Sequence, residues 1–81
     1  MAKAEKILDR ILRGDSDANI AFGDLCYLLK RRGFSMRVSG SHHIFSREGV
    51  VERINLQRDG SHAKPYQVKQ VRKVLTQYKL L

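Results

Sequence analysis

An 81-residue chain with a net charge of +8 and 42% apolar residues suffices for one small folded domain and is too short for a deep cofactor cavity. Its single cysteine, Cys26, excludes an internal disulfide and a zinc site built on several thiolates. No apolar run approaches the roughly 18 residues of a membrane span and no signal-peptide pattern opens the chain, so it reads as cytosolic, without metal or cofactor.

The first stretch, AKAEKILDRILRG, sets Ala4, Ile7, Leu8, Ile11 and Leu12 on one helical face with charges opposite, and Gly14 stops it. A polar connector, DSDAN, leads to a second helix from about 22 to 32. There Phe22, Leu25, Cys26 and Leu29 recur at helical spacing, Leu28 widens the stripe, and Gly33 ends it. The period then changes to two. FSMRVS alternates Phe34, Met36 and Val38 with Ser35, Arg37 and Ser39, as a half-buried strand does. Gly40-Ser41 punctuates it, HHIFSR resumes extended structure, Glu48-Gly49 turns, and VVERINLQ supplies a third strand with Glu52, Ile54 and Leu56 on one face. RDGSHAK (58–64) reads as loop. Pro65 fits the first position of a last helix, whose inner stripe is Val68, Val71, Leu75 and Tyr78, helped by Val74.

The expected fold is α+β: an αβββα unit over 20–81 with a three-stranded antiparallel sheet and helices on one face, plus an extra N-terminal helix and connector over 1–19. Charge divides unevenly along it. Residues 1–22 are neutral, whereas 23–81 carry twelve bases against Asp24, Glu48, Glu52 and Asp59. A positive field confined to part of a small domain attracts phosphate backbones, which makes nucleic acid the expected partner. No helix combines a broad apolar face with aromatic anchors, so a membrane surface is not.

Over residues 20–81 the chain resembles the HicA family, small bacterial messenger-RNA endonuclease toxins with a fold similar to double-stranded-RNA-binding domains. The resemblance rests on the αβββα order, on LCYLLKRRGF (25–34) leading into a strand, on GSHHIF (40–45) and on KPYQVKQVRKVL (64–75). It implies the toxin of a type II toxin-antitoxin system, cleaving mRNA without a metal through a histidine and inhibited by a HicB-type antitoxin. Gly40, Ser41 and His42 match the motif, His42 takes the catalytic position, and His43 is the nearest alternative. The N-terminal helix lies outside the minimal family domain. The third strand ends INLQ where many members have a Pro and another His, and His62 lies further on.

Metal-free cleavage of RNA needs a base for the 2′-OH proton, an acid for the leaving 5′-oxygen, and positive charge on the phosphate. Imidazole suits the proton steps because its reference pKa is about 6.5, and Lys and Arg suit the last. If Phe45 faces the helices, His43 shares that side and His42 points to the open face; if Ile44 is the core residue, the two exchange places, and the larger Phe45 favours the first. Candidate phosphate contacts are Lys64 at a helix N-terminus, Lys69, Arg72, Arg37, and Lys30, Arg31 and Arg32, although the helix dipole alone accounts for one cation of that triplet. The alternative is a non-catalytic RNA-binding module of the same fold. A basic face that serves only to dock a partner protein is the third reading.

Overall fold

Period-3.6 and period-2 patterning become three helices and a three-stranded sheet in the computed structural model, which describes residues 2–81. Helix α1 spans Lys3–Arg13, a 3-10 turn spans Asp17–Asn19, and α2 spans Phe22–Arg31. Strands β1 (Ser35–Ser39), β2 (His42–Arg47) and β3 (Val50–Leu56) follow, then β4 (Arg58–Asp59), β5 (His62–Ala63) and α3 (Pro65–Gln77). The fold is α+β, with β1-β2-β3 antiparallel in that order. Among the described residues, no helix is long and apolar enough to cross a membrane.

One buried cluster joins every helix to the sheet: Ile7 and Ile11 from α1, Leu25 and Leu29 from α2, Val71 and Leu75 from α3, and Phe45, Ile54 and Leu56 from the strands. Leu12, expected in the α1 stripe, lies at its solvent-facing margin, 39% exposed. Helix α1 ends at Gly14, whose φ of +74° favours glycine, and its last turn is capped from α3. Arg72 donates from Nη1 to the Ile11 carbonyl at 3.0 Å and grips Asp17 with both terminal nitrogens, at 2.9 and 3.2 Å. A fork-to-fork pair of this kind is strong and geometrically exacting.

Two local expectations change. The first strand was expected to be half-buried, yet all of β1 is exposed, with Val38 at 54%. It is the sheet edge; α3 packs on β3, and Phe34, one residue before β1, is the buried anchor on that side. The stretch read as loop contains the antiparallel hairpin β4-β5, turning at Gly60 (φ +63°). Ala63 N–H donates to the Ile20 carbonyl (2.9 Å) and Phe22 N–H to the Ser61 carbonyl (3.0 Å), stitching the hairpin to the entrance of α2.

At the other end of the sheet, the Tyr78 hydroxyl donates to Glu52 Oε1 at 2.5 Å and accepts the Val51 N–H at 3.4 Å. This bond holds the Glu52 carboxyl below the ordinary glutamate range, and the same bond pushes the Tyr78 phenol up. A lowered carboxyl adds stability above the unfolded glutamate value of about 4.3, lost as pH falls through the folded value; a raised phenol adds stability below about 10, lost as pH rises. Tyr78→Phe is therefore expected to lower the melting temperature near neutral pH, with the difference shrinking towards about pH 3. Thermal unfolding followed by circular dichroism at both pH values checks this, and an equal deficit in acid would contradict it.

Candidate functional site

The turn between β1 and β2 needs a residue with φ of +60° at position 40, which glycine supplies, and Ser41 then leads straight into β2. Phe45 is fully buried, so alternation along β2 turns His43 inward and His42 onto the open sheet face. The two imidazoles consequently occupy different environments.

His42 is half-buried and held by amides. Its Nδ1 lies 3.0 Å from Asn55 Oδ1, and its Nε2 lies 3.5 Å from Gln57 Nε2, which also donates to Ser41 Oγ at 3.2 Å. The tautomer that fits a carbonyl oxygen at Nδ1 carries its proton there and turns the Nε2 lone pair towards Gln57. The amide of Gln57 is a donor, which matches that assignment. Gln57 is itself positioned from α3: its backbone N–H donates to Oε1 of Gln67, which is 2% exposed and, among the described residues, the one buried polar side chain. Gln67 Nε2 in turn reaches the Tyr66 hydroxyl at 3.5 Å. A buried amide of this kind persists because its polar atoms are satisfied.

His43 packs edge-on against Phe22, with ring centroids 4.9 Å apart, and its Nδ1 is buried without a hydrogen-bond partner among the described residues. Arg58 covers the Phe22 ring at 4.6 Å, so this aromatic group belongs to the packing between hairpin and helix. His62 is exposed on β5, 3.4 Å from Ser61 Oγ, and no hydrogen bond joins it to His42 among the described residues. Burial pushes the Cys26 thiol up against the opposing pull of Lys30 and Arg58, leaving it a poor nucleophile. Glu52 is bonded to Tyr78 and Glu48 lies in the β2-β3 turn, so neither orients His42. Among the described residues, no group of three or more His, Cys, Asp or Glu side chains is placed to hold a metal ion.

The sequence candidates for phosphate contact separate into three groups. Arg37 lies on the open face, where with Arg53, Ile44 and Ser46 it lines a shallow depression of about 160 Å³. Arg37 pairs with Ile44 and Ser39 with His42, so the depression begins two residues along β2 from His42, roughly 7 Å away. Lys64 stands at the N-cap of α3, and Lys69 is exposed further along that helix. Lys30 and Arg31 close α2, with Arg32 as its C-cap. Arg72 is the one corrected by the structure: its guanidinium is committed to Asp17 and Ile11, so it caps α1 instead of facing solvent.

Three site residues escape the sequence reading: Asn55, Gln57 and Gln67. The first two sit in INLQ, the segment that departs from the family pattern, and alternation does place Asn55 on the face of His42. Gln67 lies next to the apolar stripe of α3, where a polar residue at a core-facing position is the signal to look for. Compared with known proteins, the chain matches no family model, no curated protein and no solved structure.

Proposed function

We propose that the chain is a metal-independent endoribonuclease of the HicA toxin type, with His42 as the base that takes the 2′-OH proton. One observation carries this reading: on an open sheet face that also bears Arg37 and Arg53, His42 Nδ1 lies 3.0 Å from Asn55 Oδ1, a contact that favours the tautomer with Nε2 as the base. In the proposed step the 2′-OH proton passes to Nε2 and the 2′-oxygen bonds to phosphorus. The bond from phosphorus to the 5′-oxygen breaks, water protonates that oxygen, and His42 then returns its proton to solvent. The products are a 2′,3′-cyclic phosphate and a 5′-OH. Arg37 and Arg53 would offset charge building on the phosphate oxygens. Lys64 and Lys69 offer further contacts along α3. The substrate would be mRNA in the cytoplasm, and the inhibitor a HicB-type antitoxin covering the site.

Incubating the purified chain with single-stranded RNA in EDTA tests the proposal. Fragments bearing 2′,3′-cyclic phosphate ends are expected, and RNA that stays intact would overturn it. Asn55→Ala removes one neutral hydrogen bond, worth about 1 kcal/mol, from the anchored tautomer. A cleavage rate five- to tenfold lower is expected, on the order of that free energy, with RNA binding unchanged in a parallel anisotropy measurement. A second reading, a non-catalytic RNA-binding module, is favoured by one feature. The groups within hydrogen-bond reach of His42 are amides, neither of them an acid able to protonate a leaving oxygen.

A further inference from the structure

The end of the sheet remote from His42 gathers cations from three elements. Arg31 closes α2, Arg32 follows as its cap, Arg47 ends β2, and Lys79 follows α3; together with Gly33 and the last two leucines they line a cleft of about 510 Å³. None of these four is paired: among the described residues the ion pairs are Asp9 with Arg13 and Asp17 with Arg72. The dipole of α2 favours cations in its last turn and so accounts for Arg31, but it does not explain a strand arginine or a lysine from another helix.

The backbone is shaped to bring them together. Gly33 has φ of +89°, a conformation that other residues rarely adopt, and a Cβ there would lie 2.9 Å from Arg47 Nε, so glycine leaves that side chain room across the end of α2. Arg32 Nε donates to the Leu80 carbonyl at 3.0 Å, fixing its guanidinium at the rim. Lys79 adopts φ of +56°, a left-handed conformation that disfavours a side chain. Crowding four unpaired cations raises the energy of the free protein and creates a strong local field for an anion.

A second cleft of about 550 Å³ shares Gly33 and Arg47 with the first and runs through Ser35 and Ser46 to Arg53, with Glu48 as its one carboxylate. Arg53 and Ser46 also line the depression that holds Arg37. The second cleft and the depression therefore set Arg37, Arg53, Arg47 and the serines between them, with Ile44, Val50, Val51 and Glu48 interspersed, along a track that starts about 7 Å from His42 and ends at Arg47. His42 and Arg47 stand at opposite ends of β2, roughly 17 Å apart at about 3.4 Å per residue.

We propose that the Arg31/Arg32/Arg47/Lys79 cleft is a second phosphate subsite, which holds the RNA backbone several nucleotides away from the bond that His42 would cleave. The inference rests on the ribonuclease reading and specifies its substrate: a single strand long enough to occupy both ends of the track. Short fragments reach only one end.

The test uses 2′-O-methyl oligoribonucleotides, which bind but cannot be cleaved, a dinucleotide too short to span the track and a strand of about twelve nucleotides, within the span one small domain covers. Anisotropy titrations over a range of salt compare the wild type with Arg31→Gln/Arg47→Gln. For the longer strand the double variant is expected to bind at least tenfold more weakly. Its salt slope should be shallower by about 1.4, two lost phosphate contacts at ~0.7 each. For the shorter strand, which makes contacts at one end only, the weakening should be smaller. An unchanged slope for the longer strand, or equal weakening of both strands, overturns the subsite while leaving the RNA reading in place. A wild type that binds neither strand overturns both. Lys79→Gln, outside the sheet and helices, gives the same contrast with one contact if the double variant fails to fold.

Discussion

His42→Ala is expected to lower RNA cleavage by about 10²–10⁴-fold, the range lost with a general base, while His43→Ala keeps the wild-type rate in its folded fraction. The contrast follows from where alternation places the two rings. His42 stands on the open face with Asn55 and Gln57, where its removal takes the proton acceptor and leaves the surrounding strand pairing intact. His43 instead fills space beside Phe22 with an unpartnered nitrogen, so its loss is a packing change. Truncating it opens a gap beneath the β4-β5 hairpin, and a small drop in melting temperature is the expected signature. Single-turnover cleavage and thermal unfolding of both variants make the comparison. A His43→Ala protein that is folded, binds RNA and fails to cleave would assign the chemistry to the wrong ring.

A large effect on stability is expected from a residue outside the αβββα unit. Ile11→Ala is expected to cost about 2–5 kcal/mol, because the side chain is fully buried in the common core and the site cannot collapse around the loss. For a domain of this size that corresponds to a melting temperature lower by roughly 10–25 °C. The same helix end is pinned by Arg72, which bonds the carbonyl of Ile11 itself while holding Asp17. Helix α1 therefore belongs to the cooperative unit, although the family resemblance starts after it. Chemical denaturation of the variant checks this. A loss below about 1 kcal/mol would mean that α1 frays independently of the remainder.

The same pair of residues explains what could and could not be seen in the sequence. Ile7, Leu25, Phe45 and Val71 declare themselves by period and are all buried. The outward turn of His42 follows from the greater bulk of Phe45 over Ile44, and Phe45 is the one fully covered. Arg72, by contrast, has the same sequence signature whether it faces phosphate or grips Asp17, which lies 55 positions earlier in the chain. Exposure of β1 depends on how far the helical layer extends, which alternation cannot report. The β4-β5 hairpin has strands of two residues, too short for any period, and Asp59-Gly60 is its one turn signal in the sequence. Asn55 near the end of β3 and Gln57 just beyond it flank His42, Gln67 of α3 holds the Gln57 backbone, and only the fold brings these amides together.

The most direct measurement is single-turnover cleavage, in EDTA, of an oligoribonucleotide whose 2′-OH has been replaced by hydrogen at the mapped cut site. With His42 Nε2 acting on that hydroxyl, wild-type protein should bind the modified strand as tightly as the unmodified one and leave the altered bond uncut. Cleavage of that bond at the unmodified rate would contradict the account, because the proton that His42 is there to take would be absent from the reaction.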